Sequence, residues 1–387
     1  MKKIIYYITS HGFGHAVRSC DIINALFSVM GAENLDLTVV STISTSLLQN
    51  RLVGNFYRNN FHLRQASFDV GMYQLDSLRF DVGKTIIELE NIYRAREQLL
   101  QQEISFLKAS SPAVIVTDIP SLPIVAAKKC DIPAIAVGNF SWDWIYQHQD
   151  LKQHNWKKYI DFFQDGYCKT NLLLRLPFAE EMAIFPNKID LPLLSTPGVN
   201  KREQIAALLK LDQSICKNKW VLISFTDLQL IPKELSAFAQ NMSRLLDLGY
   251  TFFTTAPFEL HMPNVYKIAA PDNTTMGTEI IFKNILASMD VVISKPGYGI
   301  LSEAISNKKP FIYTDRMSFP EYPILVSAIQ KYLPQVYLES TEIRCGDFED
   351  ALKRINSINK DFIFTEDVTT KGNGDLIAAK IINEFVL

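Results

Sequence analysis

Apolar and polar residues are distributed along this chain in two alternating rhythms. Short, nearly continuous apolar runs are followed by longer stretches in which apolar residues recur every three or four positions. The first run, Lys3–Thr9, has the pattern of a strand buried on both faces of a parallel sheet. His15–Val29 then reads as a helix, with Val17, Cys20, Ile23, Leu26 and Phe27 on one stripe. A strand at Leu35–Ser41, a long helix at Asp81–Lys108, a strand at Ala113–Thr117, a helix near Ser121–Lys129 and a strand at Ala134–Gly138 continue the series. The pattern weakens at Asp190–Asn200, where prolines and a glycine suggest a linker. It restarts with helix Lys201–Leu209, strand Trp220–Phe225, helix Pro232–Leu248 and strand Tyr250–Thr255. Helix Glu279–Met289, strand Val291–Ser294, helix Ile300–Ser306 and strand Pro310–Tyr313 follow. Repeated strand–helix units predict doubly wound parallel sheets.

The expected fold is therefore α/β, with two Rossmann-like domains. Residues 1–195 would form the first and 196–373 the second, with a C-terminal helix over 374–387 packing back on the first. The length of 387 residues accommodates two such domains, and 48% hydrophobic with 21% charged residues is a globular composition. A formal charge of −2 argues against nucleic acid as a partner, since a polyanion calls for a basic excess. The five cysteines, Cys20, Cys130, Cys168, Cys216 and Cys345, are scattered and lack CxxC spacing, which fits a reducing compartment. The apolar start ends at Thr9, too short for a secretory signal, and no stretch approaches the roughly 20 residues of a membrane span. A cytoplasmic protein is expected. Leu151–Phe163, with Lys152, Trp156, Lys157, Lys158 and Tyr159, reads as a solvated amphipathic face, so that membrane contact would be peripheral at most.

Ligands of doubly wound sheets bind beyond the carboxyl ends of the strands, so chemistry is sought immediately after each strand. After the first strand comes Thr9-Ser10-His11-Gly12-Phe13-Gly14-His15, followed by Arg18. Gly12 and Gly14 let the backbone approach a ligand, and the helix start presents N–H groups. The spacing is neither GxGxxG nor a P-loop. No metal is expected at His11 and His15, because Gly-Phe-Gly breaks the helix that an i,i+4 pair of ligands needs. His15 is either a general base or a loop-bonding residue. Asp118, after the next central strand, either orients His15 or caps the following helix. Asn139, Trp142 and Asp143 follow strand Ala134–Gly138 and suit a sugar or acceptor surface, or equally a helix cap beside core aromatics. In the second half, Lys295-Pro296-Gly297-Tyr298-Gly299 joins a buried strand to a helix, a good phosphate cradle. Glu303 would lie on the first helical turn, bonding a ribose diol or merely complementing the helix dipole. Asp315 and Glu321, at and beyond the end of the next strand, offer carboxylates to sugar hydroxyls.

Ser294–Glu303, with Gly299 and Ser302-Glu303 as its core, resembles the donor-binding motif of the bacterial peptidoglycan N-acetylglucosaminyltransferase, and Gly14-His15 stands where that family's glycine-rich loop ends in His. A resemblance to the glycosyltransferase-like N-terminal region of plant L-arabinokinases and its bacterial relatives runs through nearly the whole chain. It includes His11-Gly12-Phe13-Gly14-His15, Arg18, Asp69-Val70-Gly71, Gln74, Asp76, Asp118 and Asn139-Phe140-Ser141-Trp142-Asp143. It continues with Leu174-Arg175-Leu176-Pro177, Gly297-Tyr298-Gly299, Ser302-Glu303-Ala304, Glu321 and Pro323. These resemblances imply a GT-B fold with a site between the His11–His15 loop and the Pro296–Glu303 turn. They imply a metal-independent, inverting glycosyltransferase that uses a nucleoside-diphosphate sugar as co-substrate and needs no other cofactor, acting on an acceptor the sequence does not name. A sugar-nucleotide-binding module without transfer, or a sugar-nucleotide epimerase, are the alternatives. Ser224-Phe225-Thr226-Asp227-Leu228-Gln229 departs from the Gly-rich loop expected after the second domain's first strand, with Asp227 repulsive to a diphosphate unless it points away. The sequence holds no galactokinase-type domain, so arabinokinase activity is not expected.

Overall fold

A computed structural model of the chain describes all residues except 53, 150–154, 195, 256–257, 259, 269–279, 317–318 and 387. The chain divides into two compact units: Met1–Tyr73 with Asp81–Leu194 and Lys371–Leu387, and Gln74–Phe80 with Ser195–Thr370.

The first unit is built on β1 (Lys2–Ile8), β2 (Leu35–Val40), β3 (Phe61–Arg64), β4 (Val114–Asp118), β5 (Ala134–Gly138), β6 (Leu172–Arg175) and β7 (Lys188–Asp190). They lie in the order β3-β2-β1-β4-β5-β6-β7, every pair parallel. β4 and β5 are buried along their whole length, which explains their unbroken apolar sequences. The order reverses between β1 and β4, where Ile8 lies in register with Asp118. That reversal is the topological switch point, where the crossovers on the two sides diverge and leave the strand ends open to a ligand.

The helix Phe13–Met30 lies on this sheet through Ala16, Cys20, Ile23, Ala25 and Leu26. The C-terminal helix Gly374–Glu384 joins the same core with Ala378, Ala379 and Ile382 fully buried. Full burial of the Ile382 side chain alone contributes about 2 kcal/mol. A Cβ at Gly374 would lie 2.3 Å from the carbonyl oxygen of Pro192, so only glycine admits the helix here.

The second unit contains β8 (Lys219–Ser224), β9 (Tyr250–Thr255), β10 (Val265–Ile268), β11 (Val291–Ser294), β12 (Phe311–Thr314) and β13 (Gln335–Leu338). Their order is β10-β9-β8-β11-β12-β13, again parallel throughout. The switch point falls between β8 and β11, whose ends pair Ser224 with Ser294.

Several expectations need correction. Gln74–Phe80 belongs to the second unit, because Leu78 enters its core and Phe80 packs edge-on against Phe319. Residues 371–373 belong to the first. Five further strands join the expected series: β6, and β3, β7, β10 and β13, whose incomplete burial leaves no continuous apolar run to mark them. The helix after β1 begins at Phe13, so Gly12 rather than the Gly-Phe-Gly stretch marks its start. Lys152 and the rest of 151–154 lie outside the described residues. The Lys157–Tyr167 helix beyond them turns Tyr159, Ile160, Phe163 and Tyr167 inward, so its apolar side covers the unit's own core rather than facing lipid. Among the described residues, no helix is long and apolar enough to cross a membrane.

Candidate active site

In the first unit the helix after β1 and the ends of β4 and β5 bring five polar side chains together. Asp118 is the last residue of β4 and is fully buried. Its Oδ1 lies 2.7 Å from His15 Nδ1. Arg18, one turn further along the helix, donates from Nε to Asp118 Oδ2 at 2.7 Å and from Nη2 to Oδ1 at 2.5 Å. Ser19 Oγ donates to Oδ2 at 3.0 Å. Arg18 also donates from Nη1 to Asn139 Oδ1 at 2.6 Å, and the Asn139 amide donates to the Pro177 carbonyl at 2.6 Å. Asp118 therefore orients the β1 helix and is not a cap. The helix Leu122–Lys129 starts after Ser121 without a side-chain cap.

Burial alone would raise the Asp118 carboxyl, but the Arg18 guanidinium and His15 outweigh it and hold the group well below the usual carboxylate range. His15 is 6% exposed. Burial first, then the charge of Arg18, lowers its imidazole below the ordinary value, against the opposing pull of Asp118. The ring is thus neutral near pH 7. Its Nδ1 lies 2.7 Å from a carboxylate oxygen and 2.9 Å from Arg18 Nη2, and only one contact is a hydrogen bond from or to that nitrogen. A lone pair turned on an ionised carboxylate would be repulsive, so the proton sits on Nδ1 and Nε2 is the acceptor.

The rest of the loop supports this dyad. Gly12 has φ 82, a left-handed conformation that favours glycine, and a Cβ at Gly14 would meet nothing within 4 Å. The His11 ring lies edge-on to Trp142 at 5.6 Å and over Gly71, where a Cβ would fall 1.9 Å from the imidazole. Trp142 is 2% exposed and donates from Nε1 to Asp69 Oδ2 at 2.8 Å, while Thr9 Oγ1 donates to Asp69 Oδ1 at 2.9 Å. Trp142 and Phe140 flank the His15 ring at 6.2 and 5.7 Å, so Trp142 is a floor beneath the histidines rather than an exposed surface. Asp143 is equally buried, accepting from Gln164 at 3.0 Å.

In the second unit, β11 runs into Lys295, Pro296 and Gly297, and the helix Tyr298–Ser306 starts without a side-chain cap. Its leading N–H groups, at Tyr298, Gly299 and Ile300, have no intrahelical acceptor. Gly299 is exposed, and a Cβ there would meet nothing within 4 Å. Ser302 and Glu303 are partly buried. Glu303 is the sixth residue of this helix, so it stands on the second turn and not the first, because the helix begins two residues before the expected Ile300. A dipole-complementing role is correspondingly weakened. Behind the turn, burial and the Arg316 charge lower the Lys295 ammonium to about 7, while Glu321 and Asp76 oppose the shift. Arg316 lies over the Phe319 ring at 3.3 Å and 3.5 Å from Glu321, with both side chains 9% exposed. Among the described residues, Arg316 Nε and Glu321 Oε2 are buried without a hydrogen-bond partner. Asp315 Oδ1 accepts from the Ser340 amide at 3.1 Å.

The loop after β8 is closed by the chain itself. Thr226 and Asp227 both donate their backbone N–H to Ser77 Oγ, at 2.9 and 3.0 Å, and the Ser77 hydroxyl lies 2.7 Å from Thr226 Oγ1. Ser77 N–H donates to the Asp227 carbonyl at 3.1 Å. Asp227 keeps an exposed carboxylate that accepts from Gln229 N–H at 3.1 Å. Among the described residues, no group of three His, Cys, Asp or Glu side chains is arranged to hold a metal.

No family model matches the chain. Its sequence is 24% identical over 386 residues to the L-arabinokinase of Arabidopsis thaliana, covering 99% of this chain and 34% of that protein. The chain thus spans about a third of the length of the curated relative it matches. It superposes on the glycosyltransferase of kitacinnamycin with a TM-score of 0.60 at 13% identity, over 100% of this chain and 99% of the other. Arabidopsis thaliana UGT89C1 complexed with UDP-L-rhamnose gives a TM-score of 0.61 at 12% identity over the same shares. The fold is GT-B.

Within that fold, sequence reasoning missed Asp69, Ser77 and Arg316 as site residues. Asp69 and Ser77 follow no strand that the apolar pattern marks, so position singles out neither. Arg316 follows a strand end as His15's loop does, and that position was its one signal.

Proposed function

We propose that the chain is a glycosyltransferase that moves a sugar from a nucleoside-diphosphate donor to a hydroxyl acceptor, with inversion and without a metal. The observation that carries this reading is the buried 2.7 Å hydrogen bond between His15 and Asp118 at a switch point. It leaves Nε2 of a neutral imidazole as the acceptor for a proton. Inverting transfer is a single displacement and needs one such base and no enzyme nucleophile. His15 takes the acceptor hydroxyl's proton as that oxygen attacks the anomeric carbon, and the glycosidic bond to phosphate breaks. Lys295, Arg316 and the N–H groups of Tyr298, Gly299 and Ile300 meet the charge on the leaving diphosphate. Pro296 and Gly297 shape the turn, Glu303 and Ser302 face the ribose, and Glu321 offers Oε2 to a sugar hydroxyl. Gly12, Gly14, His11, Arg18, Asn139, Trp142 and Asp143 form and support the acceptor side.

The closed Thr226–Asp227 loop favours a second reading, a sugar-nucleotide-binding module without transfer. A thermal-shift screen against nucleoside-diphosphate sugars separates these possibilities from a chain that binds none, since a donor at 100 times its Kd stabilises by about 2.7 kcal/mol. The donor found is then incubated with an acceptor panel. Transfer that falls at least a hundredfold in His15→Ala, with donor affinity retained, supports the first reading. Binding without transfer supports the second, and epimerised donor without acceptor would refute both. Unchanged donor affinity in Glu303→Ala removes that residue's ribose role.

A further inference from the structure

The dyad of this chain differs from a bare histidine–carboxylate pair in one respect: a cation is built into it. In a bare pair the carboxylate faces the imidazole alone and favours its protonated form. Here the Asp118 carboxylate accepts two hydrogen bonds from Arg18 and one from Ser19 besides its contact with His15. Arg18 is held in place at its other end by Asn139, itself anchored on the Pro177 carbonyl. The guanidinium comes within 2.9 Å of the imidazole nitrogen that faces Asp118. A second positive charge on His15 would therefore meet Arg18 at contact distance inside a buried site.

We propose that Arg18 is a positioning residue that takes up the charge of Asp118 and so holds His15 uncharged, with its proton on Nδ1 and Nε2 as acceptor. This deepens the reading of His15 as a base but is testable without a substrate. The groups around the ring agree with it. Asp118 faces it from β4 and Arg18 from its own helix. Phe140 and Trp142 flank it as apolar rings, and His11, a second titratable ring, packs edge-on against the same Trp142. Further back, Asp69 and the Tyr6 hydroxyl of β1 interact electrostatically with Asp118. Arg18 is the sole cation among these neighbours that touches both members of the dyad. Burial acts on His15 in the same direction as Arg18.

The test is a histidine NMR titration of the full chain labelled with ¹³C and ¹⁵N at histidine. His15 is assigned by the signal lost in His15→Gln. In the wild type the ¹⁵N shifts should report one protonated and one acceptor nitrogen, with Nδ1 protonated, down to a pH below the midpoint of an ordinary histidine. In Arg18→Met the His15 midpoint should move up. Arg18→Lys, which retains a charge without the fork, should fall between. Ser19→Ala, which removes a neutral donor from the same carboxylate, should leave the midpoint below that of Arg18→Met. A midpoint in Arg18→Met no higher than in the wild type overturns the proposal. If Arg18→Met does not fold, the wild-type spectrum still decides: His15 doubly protonated at about pH 6.5, or protonated on Nε2, overturns it as well. Absence of transfer in the acceptor panel would sink the proposed function and leave this result standing.

Discussion

Nucleotide-sugar binding to the second unit should be accompanied by proton uptake, with Lys295 as the group that takes the proton. Burial, and then the Arg316 charge, bring its ammonium down to about 7 from an ordinary 10.5. A folded value below the unfolded one means that this group costs the free protein stability at neutral pH, a cost that fades as pH rises from about 7 towards 10.5. A bound diphosphate reverses the balance, because its negative charges favour the ammonium. At about pH 8.5 only about 3% of free molecules carry the charge, whereas nearly all complexes do, so uptake approaches about one proton per ligand. At about pH 6 it falls to about 0.1. The affinity should weaken about 30-fold as pH rises from about 6 to about 8.5, or about 2 kcal/mol.

Isothermal titration calorimetry reads this directly. A donor identified by the thermal-shift screen is titrated at both pH values in buffers of low and high ionisation enthalpy. The slope of observed heat against buffer enthalpy is the number of protons taken up. Lys295→Met should bring the slope close to zero at about pH 8.5 and abolish the pH dependence of affinity, which also controls for titration of the nucleobase. Binding by the wild type with no buffer dependence at about pH 8.5 would refute the reasoning, since Lys295 would then be charged already or remote from the phosphates.

Asp69 makes the opposite prediction for stability. Burial raises its carboxyl from 3.8 to about 6, despite hydrogen bonds from Trp142 and Thr9. The folded state therefore holds the extra proton between those values, and stability should fall by up to about 3 kcal/mol as pH rises through that window. Urea midpoints of wild type and Asp69→Asn should diverge there, and parallel curves would contradict the assignment. Glu103, fully buried in the Val82–Ser110 helix, accepts from Tyr7 at 2.5 Å and from Arg64 at 2.7 and 2.8 Å. Glu103→Ala should cost about 3 kcal/mol in urea unfolding, since it leaves a buried phenol and a partly buried guanidinium without their partner. A loss below about 1 kcal/mol would show that water replaces the carboxylate. Ser77→Ala removes the acceptor of two backbone N–H groups and should cost about 2 kcal/mol. Its measured unfolding energy matching the wild type would mean that the Thr226–Asp227 loop closes without the hydroxyl.

The alternation of strands and helices was legible because two-sided burial writes continuous apolar runs, as in β4 and β5, and one-sided burial writes the stripe of the Phe13–Met30 helix. Position drew attention to Asp118 at the end of a central strand and to His15 in the segment after β1, since ligands of doubly wound sheets bind beyond the strand ends. Spacing could not decide what Asp118 faces. That depends on the register of Ile8 with Asp118, a contact between residues more than a hundred positions apart in sequence.

Ser77 marks the limit most clearly. From the sequence, Asp227 looked like an obstacle to phosphate binding at the loop after β8. The structure relocates the difficulty. The N–H pair of that loop is already satisfied by the Ser77 hydroxyl, which accepts both bonds and has Thr226 Oγ1 as its own acceptor. A hydroxyl is neutral, so it satisfies the amides without bringing a second negative charge beside the Asp227 carboxylate, as a phosphate oxygen would. Any anion held by this unit must then find its positive charge elsewhere. The Lys295–Tyr298 turn offers a helix start, an amine lowered to about 7 and the buried Arg316, whose Nε has no partner among the described residues. Two cations that repel each other without a ligand are the arrangement that a dianionic ligand would relieve. Placing a second anion seat at Ser77 would divide that charge between two loops, only one of which carries it.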